Sequence, residues 1–254
     1  MNKAAPRERT VLVTGGSRGI GAATVWRCAQ AGWTVAVNYA NNRGAAERLV
    51  ERVLATGGKA SLLQADVADE AQVLRLFAAL DRDMPPLAGL VNNAGVIDRS
   101  SRVDEMGLER LQRMFAINVY GSFMCAREAV KRMSTRHGGG GGAIVNLSSA
   151  AARLGAPGQY VDYAAAKAAI DVFTLGLAKE VATEGIRVNA VRPGLIDTEI
   201  HASGGQPGRA WQLAPQVPMQ RPGSAEEVAE AIVWLLGDAS SYTTGSVVDV
   251  TGGR

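Results

Sequence analysis

The chain has 254 residues, of which 47% are hydrophobic and 20% are charged, and its formal net charge is +3. This length suits one α/β domain with a full core, and the composition excludes a disordered, collagen-like or coiled-coil chain. The basic residues are scattered, so no nucleic-acid partner is expected. No apolar run approaches the roughly 18 residues of a membrane span, and we expect neither a membrane partner nor a signal segment at the start.

Cysteine and histidine are too few and too dispersed for a metal site or a disulfide framework. Cys28 and Cys125 lie far apart, which favours a reducing cytoplasm. His137 and His201 are also distant in sequence, so neither a histidine metal site nor a Ser-His-Asp triad is supported. The sequence therefore predicts a cytoplasmic protein without a metal.

Seven short apolar runs alternate with longer segments of helical periodicity. The runs are rich in Val, Leu and Ile on both faces, as parallel strands are when helices cover both sides of the sheet. Right-handed β-α-β crossovers then give a single Rossmann-like, doubly wound α/β domain over residues 1–254, with helices on both faces of a seven-stranded parallel sheet. The predicted strands are 10–13, 34–39, 60–65, 87–91, 143–147, 186–191 and 246–250.

Helices are predicted between these strands, and two irregular stretches interrupt the pattern. The five consecutive glycines at 138–142 predict a mobile loop before the fifth strand, to which we assign no function. Segment 198–217 contains glycine-rich turns and Pro215, which regular helix cannot pass through, and it predicts a mobile lid over the substrate. The predicted helices are 19–31, 45–55, 70–80, 105–133, 162–174 and 225–236.

A glycine-rich turn joins the first predicted strand to the first predicted helix. Backbone N–H groups and the positive end of a helix dipole attract anions, and glycines let a phosphate come close to the chain. A strand, a run of glycines and a helix start coincide here, so we predict the diphosphate site of a dinucleotide. It consists of Gly15, Ser17, Arg18, Gly19, Ile20 and Gly21.

The spacing of these glycines is one of six motifs that together resemble the short-chain dehydrogenase/reductase family. The motifs occur in the order and at the strand or helix ends where that family places them, and the resemblance covers nearly the whole chain. Within the family, the chain resembles 3-oxoacyl-carrier-protein reductases and sugar or polyol dehydrogenases. The other motifs are Asn92-Asn93-Ala94-Gly95, Asn118, Ser149, Tyr163-x-x-x-Lys167 and Pro193-Gly194-Leu195-Ile196-Asp197-Thr198.

The end of the second predicted strand indicates which nicotinamide cofactor binds. Sheets that bind NAD usually place Asp or Glu there, whereas this chain has Tyr39, so no acid would repel a 2′-phosphate. Arg18 and Arg43 could pair with that phosphate, and Asn38 and Asn41 could add hydrogen bonds. Arg43 could instead cover a solvated helix face. The sequence favours NADP(H) over NAD(H).

The resemblance implies further cofactor contacts at the ends of other strands. Asp66 and Val67 would meet the adenine, although Asp66 could instead cap the next helix. Two more stretches would form the cofactor wall and hold the nicotinamide amide. They are Asn93, Ala94 and Gly95, and Pro193, Gly194, Ile196 and Thr198.

Tyr163 and Lys167 lie four residues apart in a segment of helical period, so they share one helix face. An adjacent ammonium favours phenolate, so Lys167 is predicted to lower the pKa of Tyr163. The resemblance makes Tyr163 the proton donor and gives Lys167 a grip on the nicotinamide ribose. It also implies that Ser149 binds the substrate oxygen, with Ser148 as competitor. Asn118 would hold a relay water through a local helix distortion, or would be an ordinary helix-face amide.

These residues predict an NADP(H)-dependent oxidoreductase that transfers a hydride between nicotinamide and a carbonyl or secondary alcohol. The alternative is a non-catalytic nucleotide-sensing protein on the same fold, which would be expected to lack the Tyr, Lys or Ser. The resemblance also implies a homotetramer or a dimer. The substrate is not predicted, because the candidate pocket residues are both polar and apolar. They are Ser100, Arg102, Leu154, Tyr160, Ile200 and Trp211.

Overall fold

The structure, a computed structural model, describes residues 8–254. Residues 1–7, where the sequence predicts no signal segment, lie outside the described residues. All seven predicted strands form within two residues of their predicted bounds. They are β1 Thr10–Val13, β2 Thr34–Tyr39, β3 Lys59–Gln64, β4 Leu87–Asn92, β5 Gly142–Leu147, β6 Ile186–Pro193 and β7 Val247–Val250.

The strands form one parallel sheet in the order β3-β2-β1-β4-β5-β6-β7. The doubly wound α/β prediction is confirmed. The chain runs outward from β1 to β3 and then crosses back to β4 on the other side of β1. Parallel sheets of this kind bind ligands beyond the carboxyl ends of their strands at this switch point. The fold therefore predicts a ligand site at the carboxyl ends of β1 and β4.

Alternate side chains of the central strands enter two separate cores. Val11 and Val13 belong to one hydrophobic cluster, whereas Leu12 belongs to the other, and all three are fully buried. Burial on both faces explains why the strands read as continuous apolar runs rather than as alternating patterns.

Helices cover both faces of the sheet. Helices α1, α2 and α10 contribute to the cluster that contains Val11, and α3, α5 and α7 contribute to the cluster that contains Leu12. The helices are α1 Gly19–Gln30, α2 Arg43–Ala55, α3 Glu70–Asp83, α4 Leu108–Phe115, α5 Gly121–Met133, α6 Ala151–Leu154, α7 Val161–Val181, α8 Ile200–Ser203, α9 Arg209–Gln212 and α10 Ala225–Leu236, with short 3-10 turns at Val103–Glu105, Thr135–His137, Ala182–Glu184, Ala214–Gln216 and Asp238–Ser240.

The predicted helix 105–133 differs from the structure at its start and in its middle. Helix begins only at Leu108, because Val103–Glu105 forms a separate 3-10 turn that the side chain of Glu105 closes onto the backbone N–H of Arg102. From there the chain stays helical to Met133, but Ala116–Tyr120 is a π-helical turn. Single π turns inside α-helices are frequent at functional sites.

Backbone hydrogen bonds hold the glycine run at 138–142 against the end of α5; its predicted mobility stays a prediction. The N–H of Gly139 donates to the Ser134 carbonyl at 2.8 Å, and the N–H of Gly141 donates to the Met133 carbonyl at 2.7 Å. A Cβ on Gly139 would lie 2.3 Å from the Arg132 carbonyl oxygen. The run therefore provides the close backbone approach between α5 and β5.

Segment 198–217 consists of short helical pieces, α8, α9 and the 3-10 turn Ala214–Gln216, joined by glycine-containing bends. The predicted break in regular helix is present, whereas the proposed lid motion stays a prediction. Across residues 8–254, no helix combines the length and apolar character that crossing a bilayer requires.

Candidate active site

The glycine loop between β1 and α1 packs closely against the end of β4. Gly15 and Gly19 have φ angles of +60° and +52°, which favour glycine. A Cβ on Gly21 would lie 2.4 Å from the Gly15 carbonyl oxygen, so the start of the helix can approach the loop only when this residue is glycine. Thr14, which the sequence reasoning missed, accepts hydrogen bonds at its Oγ1 from the N–H groups of Asn93 and Ala94, both at 3.0 Å.

Two asparagines that are predicted to touch the cofactor, Asn38 and Asn93, support the glycine loop with their side chains; their contact with the cofactor stays a prediction. The Asn93 amide donates to the carbonyls of Thr14 and Gly15 at 2.8 and 3.0 Å. Asn38 is buried; its Oδ1 accepts from the Gly15 N–H, and its amide donates to the carbonyls of Leu63 and Ala65. These bonds use the polar atoms of Asn38, so its side chain positions the glycine loop.

The first turn of α1 is open, unlike the starts of three other helices. Arg18 precedes α1 without a side-chain hydrogen bond to the first turn, which contains no acid. In α2, α3 and α10, by contrast, the side chains of Asn42, Asp69 and Ser224 accept a hydrogen bond from a first-turn N–H. The N–H groups of α1 and its positive dipole end are therefore available for an anion. This uncapped end and the close glycines fit the diphosphate of a dinucleotide.

Around the end of β2, some side chains already have partners within the protein and others are exposed. Tyr39 is buried, and Arg43 forms an exposed ion pair with Glu47 at 2.7 Å on the surface of α2. Asn41 and Arg18 are exposed, and within residues 8–254 Arg18 has no acidic partner. Arg43 thus lies on a solvated helix face, as the alternative interpretation of this residue predicts.

Asp66 and Val67 follow β3 as predicted, and a different residue caps the next helix. Asp66 is exposed, and its carboxylate accepts from the N–H of Ala68 at 2.9 Å. The cap of α3 is Asp69, so the alternative role of Asp66 as that cap is wrong. Val67 is buried, and a Cβ on Gly121 of α5 would lie 2.7 Å from it.

Ser149, Tyr163 and Lys167 converge on one cavity at the carboxyl end of the sheet. The Ser149 hydroxyl is close enough to Tyr163 to lower the pKa of its phenol, and the Lys167 Nζ lies 5.6 Å from the centre of the Tyr163 ring. Lys167 is buried, and its Nζ donates to the carbonyl of Leu147 at 2.7 Å. Ser148 donates instead to the backbone carbonyl of Lys167 at 3.1 Å. The geometry therefore favours Ser149 over Ser148.

Burial is the largest influence on the pKa values of both titratable groups. It raises the pKa of Tyr163 to about 12, against a smaller lowering by the neighbouring Ser149 hydroxyl. It lowers the pKa of Lys167 to about 8, against the opposing charge of Asp171. Lys167, which was predicted to lower the pKa of Tyr163, is not among the causes of its shift, and Tyr163 carries its proton at neutral pH.

Asn118 is fully buried within the π turn, so the predicted helix distortion is present at this residue. Its Oδ1 accepts from the N–H of Val96 at 3.2 Å, and its amide donates to the carbonyls of Val96 and Met114. A Cβ on Gly95 would lie 2.8 Å from the Asn118 Oδ1 and 3.5 Å from the Lys167 Nζ. Gly95 therefore separates Asn118 from Lys167 without filling the space between them.

The loop after β6 closes the other side of the cavity. Pro193, Gly194, Ile196 and Thr198 all line it. A Cβ on Gly19 would lie 3.4 Å from the Thr198 side chain, so this loop reaches over the start of α1. The cofactor residues predicted from the first and the sixth strand thus face each other across one groove.

Three of the six candidate pocket residues line the cavity, namely Leu154, Tyr160 and Ile200. The other three make contacts elsewhere: Ser100 with Gln206, Arg102 with Asp104, and Trp211 with Asp197. The cavity also contains Gln159, His201, Arg209 and Arg254, which sequence reasoning missed because no local pattern marks them. Within the described part of the chain, no group of three or more His, Cys, Asp or Glu could hold a metal ion.

An uncapped helix start thus lies near the cavity that Ser149, Tyr163 and Lys167 share, at the carboxyl end of a doubly wound sheet. A family model described as enoyl-(acyl carrier protein) reductase matches residues 15–254. The chain belongs to the short-chain dehydrogenase/reductase family of oxidoreductases, which use nicotinamide cofactors.

Among its relatives, the chain is 58% identical to an uncharacterized oxidoreductase, YgfF, of Escherichia coli (strain K12), covering 96% of this chain and 98% of that protein. It is 39% identical to a 3-oxoacyl-[acyl-carrier-protein] reductase of Synechocystis, with 96% of each protein covered.

Solved structures of similar proteins also include members of the short-chain dehydrogenase/reductase family. A short-chain dehydrogenase/reductase mutant of Serratia marcescens superposes with a TM-score of 0.89 at 35% identity, covering 97% of this chain and 98% of that one. A blue fluorescent protein from a metagenomic library, solved in complex with NADPH, gives a TM-score of 0.88 at 34% identity, with coverage of 97% and 98%.

Proposed function

We propose that this chain is an NADP(H)-dependent oxidoreductase that interconverts a carbonyl and a secondary alcohol through Ser149, Tyr163 and Lys167. The observation that carries the proposal is the convergence of these three side chains on a cavity whose opposite wall reaches the uncapped start of α1. The glycine loop and the start of α1 would hold the diphosphate of the cofactor, and the Ser149, Tyr163 and Lys167 side of the cavity would receive its nicotinamide.

When bound, NADPH supplies the hydride for carbonyl reduction. Tyr163 is the general acid in this direction, since a pKa of about 12 keeps its proton in place at neutral pH. In alcohol oxidation the phenolate form of Tyr163 is the general base, so Tyr163 must lose its own proton before it accepts that of the alcohol. The Ser149 hydroxyl donates to the same substrate oxygen and stabilises the charge that develops there.

Lys167 and Asn118 act on the groups around Tyr163. With its pKa lowered to about 8, Lys167 is largely cationic at pH 7; it would bind the nicotinamide ribose and would favour the phenolate form of Tyr163. Asn118 supports this end of the groove through its bonds to Val96, which fix the chain after β4. We propose that the space beside Gly95 holds the relay water between Asn118 and Lys167.

NADP(H) is proposed over NAD(H) because no carboxylate stands at the end of β2 and Arg18 stands at the glycine loop. An exposed guanidinium without an acidic partner in residues 8–254 suits a 2′-phosphate. Arg43 contributes less, since Glu47 already pairs with it. The NADPH complex of the metagenomic blue fluorescent protein adds support from a similar structure.

A homotetramer is proposed from the resemblance and from exposed apolar side chains on α4, the π turn, α5 and α7. Light scattering of the purified protein gives its mass in solution. The exposed side chains are Leu108, Tyr120, Phe123, Val172 and Leu175.

The test is a screen of NADPH and NADH oxidation over aldehydes, ketones and oxo acids, with the Kd of each cofactor measured in parallel. We expect at least one carbonyl to be reduced, and NADPH to be preferred over NADH. Tight NADPH binding without turnover of any carbonyl would instead identify a nucleotide-sensing protein.

A further inference from the structure

The cavity beside the catalytic group is lined by basic side chains and by no acidic ones. Lys167, His201, Arg209 and Arg254 all contribute, whereas none of the described lining residues is an aspartate or a glutamate. Lys167 belongs to the catalytic group, and the other three stand apart from it in the sequence. The lining therefore offers basic side chains without a side-chain carboxylate to compensate them.

Neutral partners hold Arg209 in place. Its Nη1 donates to Gln206 Oε1 and its Nη2 donates to Gln159 Oε1, both at 2.5 Å. Its guanidinium carbon lies 5.4 Å from the centre of the Tyr160 ring. Amide oxygens and an aromatic face orient a guanidinium without neutralising it, and its other N–H groups stay available for a ligand.

Two other arginines form ion pairs with acidic side chains, whereas Arg209 does not within residues 8–254. Arg110 pairs with the buried Asp162 at 2.7 Å, and Arg192 pairs with Asp171 at 2.9 Å. Across residues 8–254, Arg209 has no such acidic partner. Arg187 also has no ion pair among residues 8–254, but four backbone carbonyls and Ser240 accept hydrogen bonds from its guanidinium. The guanidinium of Arg209 donates to only two amide oxygens, so its remaining N–H groups suit an anionic ligand.

Arg209 is also placed to act on the same ligand as Tyr163. Tyr160, which contacts Arg209, immediately precedes α7, and Tyr163 lies in the first turn of that helix. Burial is the main cause that lowers the pKa of His201, and the charge of Arg209 lowers it further. His201 is therefore neutral near pH 7, and the positive charge on this side comes from the arginines.

We infer that the substrate carries a carboxylate, which Arg209 binds while Ser149 and Tyr163 hold its carbonyl oxygen. The planar guanidinium matches a carboxylate with two parallel hydrogen bonds. This inference rests on the proposed function, and it narrows the substrate to an oxo acid in reduction or a hydroxy acid in oxidation.

The experiment compares oxo acids with their methyl esters, which keep the carbonyl but lose the charge. For wild-type protein we expect kcat/KM with NADPH to be higher for the acid of the preferred pair. In Arg209→Gln the ratio of acid to ester should fall at least about tenfold, mainly through KM. Arg209→Lys should retain part of the ratio because it keeps the charge without the fork.

Arg102→Gln is the matched control. Arg102 is exposed, pairs with Asp104 and lies outside the cavity, so its loss should leave the ratio unchanged. Thermal unfolding of each variant separates a lost contact from a lost fold, and a ratio within one variant is independent of the amount of folded enzyme.

The outcomes separate this inference from the proposed function. If no carbonyl of any charge is reduced, the proposed function fails. If esters are reduced as well as acids, or if Arg209→Gln changes both equally, the oxidoreductase stands and the carboxylate inference is wrong. Arg209 also borders a second groove beside Gly19. A raised KM for NADPH with an unchanged acid-to-ester ratio would assign Arg209 to the cofactor and overturn the inference.

Discussion

Helices α1 and α10 have twelve residues each and pack against one another, yet they begin in opposite ways. At the start of α10, Ser224 and Glu227 form a capping box, and Arg221 binds the Glu227 carboxylate at 2.6 and 2.9 Å. At the start of α1, glycines replace the capping side chains, and Arg18 is exposed without such a partner among residues 8–254.

The difference shows how one fold divides stability and binding between equivalent positions. A capped helix start satisfies its own N–H groups and contributes about 1 kcal/mol to stability. An uncapped start leaves those groups to an anion that arrives later, so its stabilisation appears only when the anion binds. The capped start of α10 therefore stabilises the fold, whereas the uncapped start of α1 is suited to binding the proposed cofactor.

The largest expected effect is at Gly21. Gly21→Ala would place a Cβ 2.4 Å from the Gly15 carbonyl oxygen, so we expect a loss of about 1–3 kcal/mol in the free energy of unfolding. The Kd for NADPH should rise at least about tenfold, since the loop must move away from the helix. Denaturant unfolding and cofactor fluorescence measure the two quantities.

Gly44→Ala is the control for this change, in the first turn of the capped helix α2. A Cβ there meets only the flexible end of Arg48, at 3.4 Å. Stability should stay the same or rise by up to about 1 kcal/mol, because alanine favours helix over glycine. Equal losses in the two variants would show that the open end of α1 is not specially constrained.

The next effect concerns the two arginines near the proposed 2′-phosphate. Arg18→Gln should reduce the preference for NADPH over NADH, measured as a ratio of kcat/KM values, by about tenfold. Arg43→Gln should change that ratio less than about threefold, because Glu47 already holds Arg43. A larger change in Arg43→Gln than in Arg18→Gln would show that Arg43, and not Arg18, is the main contact of the 2′-phosphate.

The smallest effect is a pH dependence at the capped end. Hydrogen bonds from the Arg221 guanidinium and then from the Ser224 N–H are the main causes that lower the pKa of Glu227 to about 2. A lowered folded-state pKa stabilises the protein above the ordinary value near 4.5, and this contribution is lost as pH falls toward 2. Because Glu227 is exposed, we expect at most about 1 kcal/mol.

Thermal unfolding of Glu227→Gln against wild type measures this contribution. The difference in Tm should be present at neutral pH and should vanish between about pH 4.5 and pH 2. Glu226→Gln removes the same charge from the same helical turn and should show no comparable pH dependence. A Tm difference that is constant with pH would contradict the role of the Glu227 charge.

The features that could be predicted best from the sequence are those marked by residue types within a short stretch of chain. Burial on both faces made the strands visible, and the glycines of the first turn indicated an anion site because their spacing permits close backbone approach. The pair Tyr163 and Lys167 could be placed on one helix face from spacing alone. In each case, the pattern of residue types within a short stretch of sequence is enough to indicate the feature.

Features that depend on contacts distant in sequence were not predicted. The packed glycine run 138–142 depends on the carbonyls of α5, and Asn38 depends on Leu63 and Ala65 of the neighbouring strand. Arg209 reaches Gln159, 50 residues away, and only the fold brings them together. The pKa of Tyr163 likewise depends on burial, which spacing on one helix does not reveal.

The most direct test of the central claim compares NADPH binding with turnover in Tyr163→Phe. The phenol hydroxyl is the proposed proton donor, whereas the diphosphate site at α1 does not include it. We expect the Kd for NADPH to stay within about threefold of wild type while carbonyl reduction falls by a factor of about a thousand or more. Carbonyl reduction at near wild-type rates by Tyr163→Phe would contradict the account.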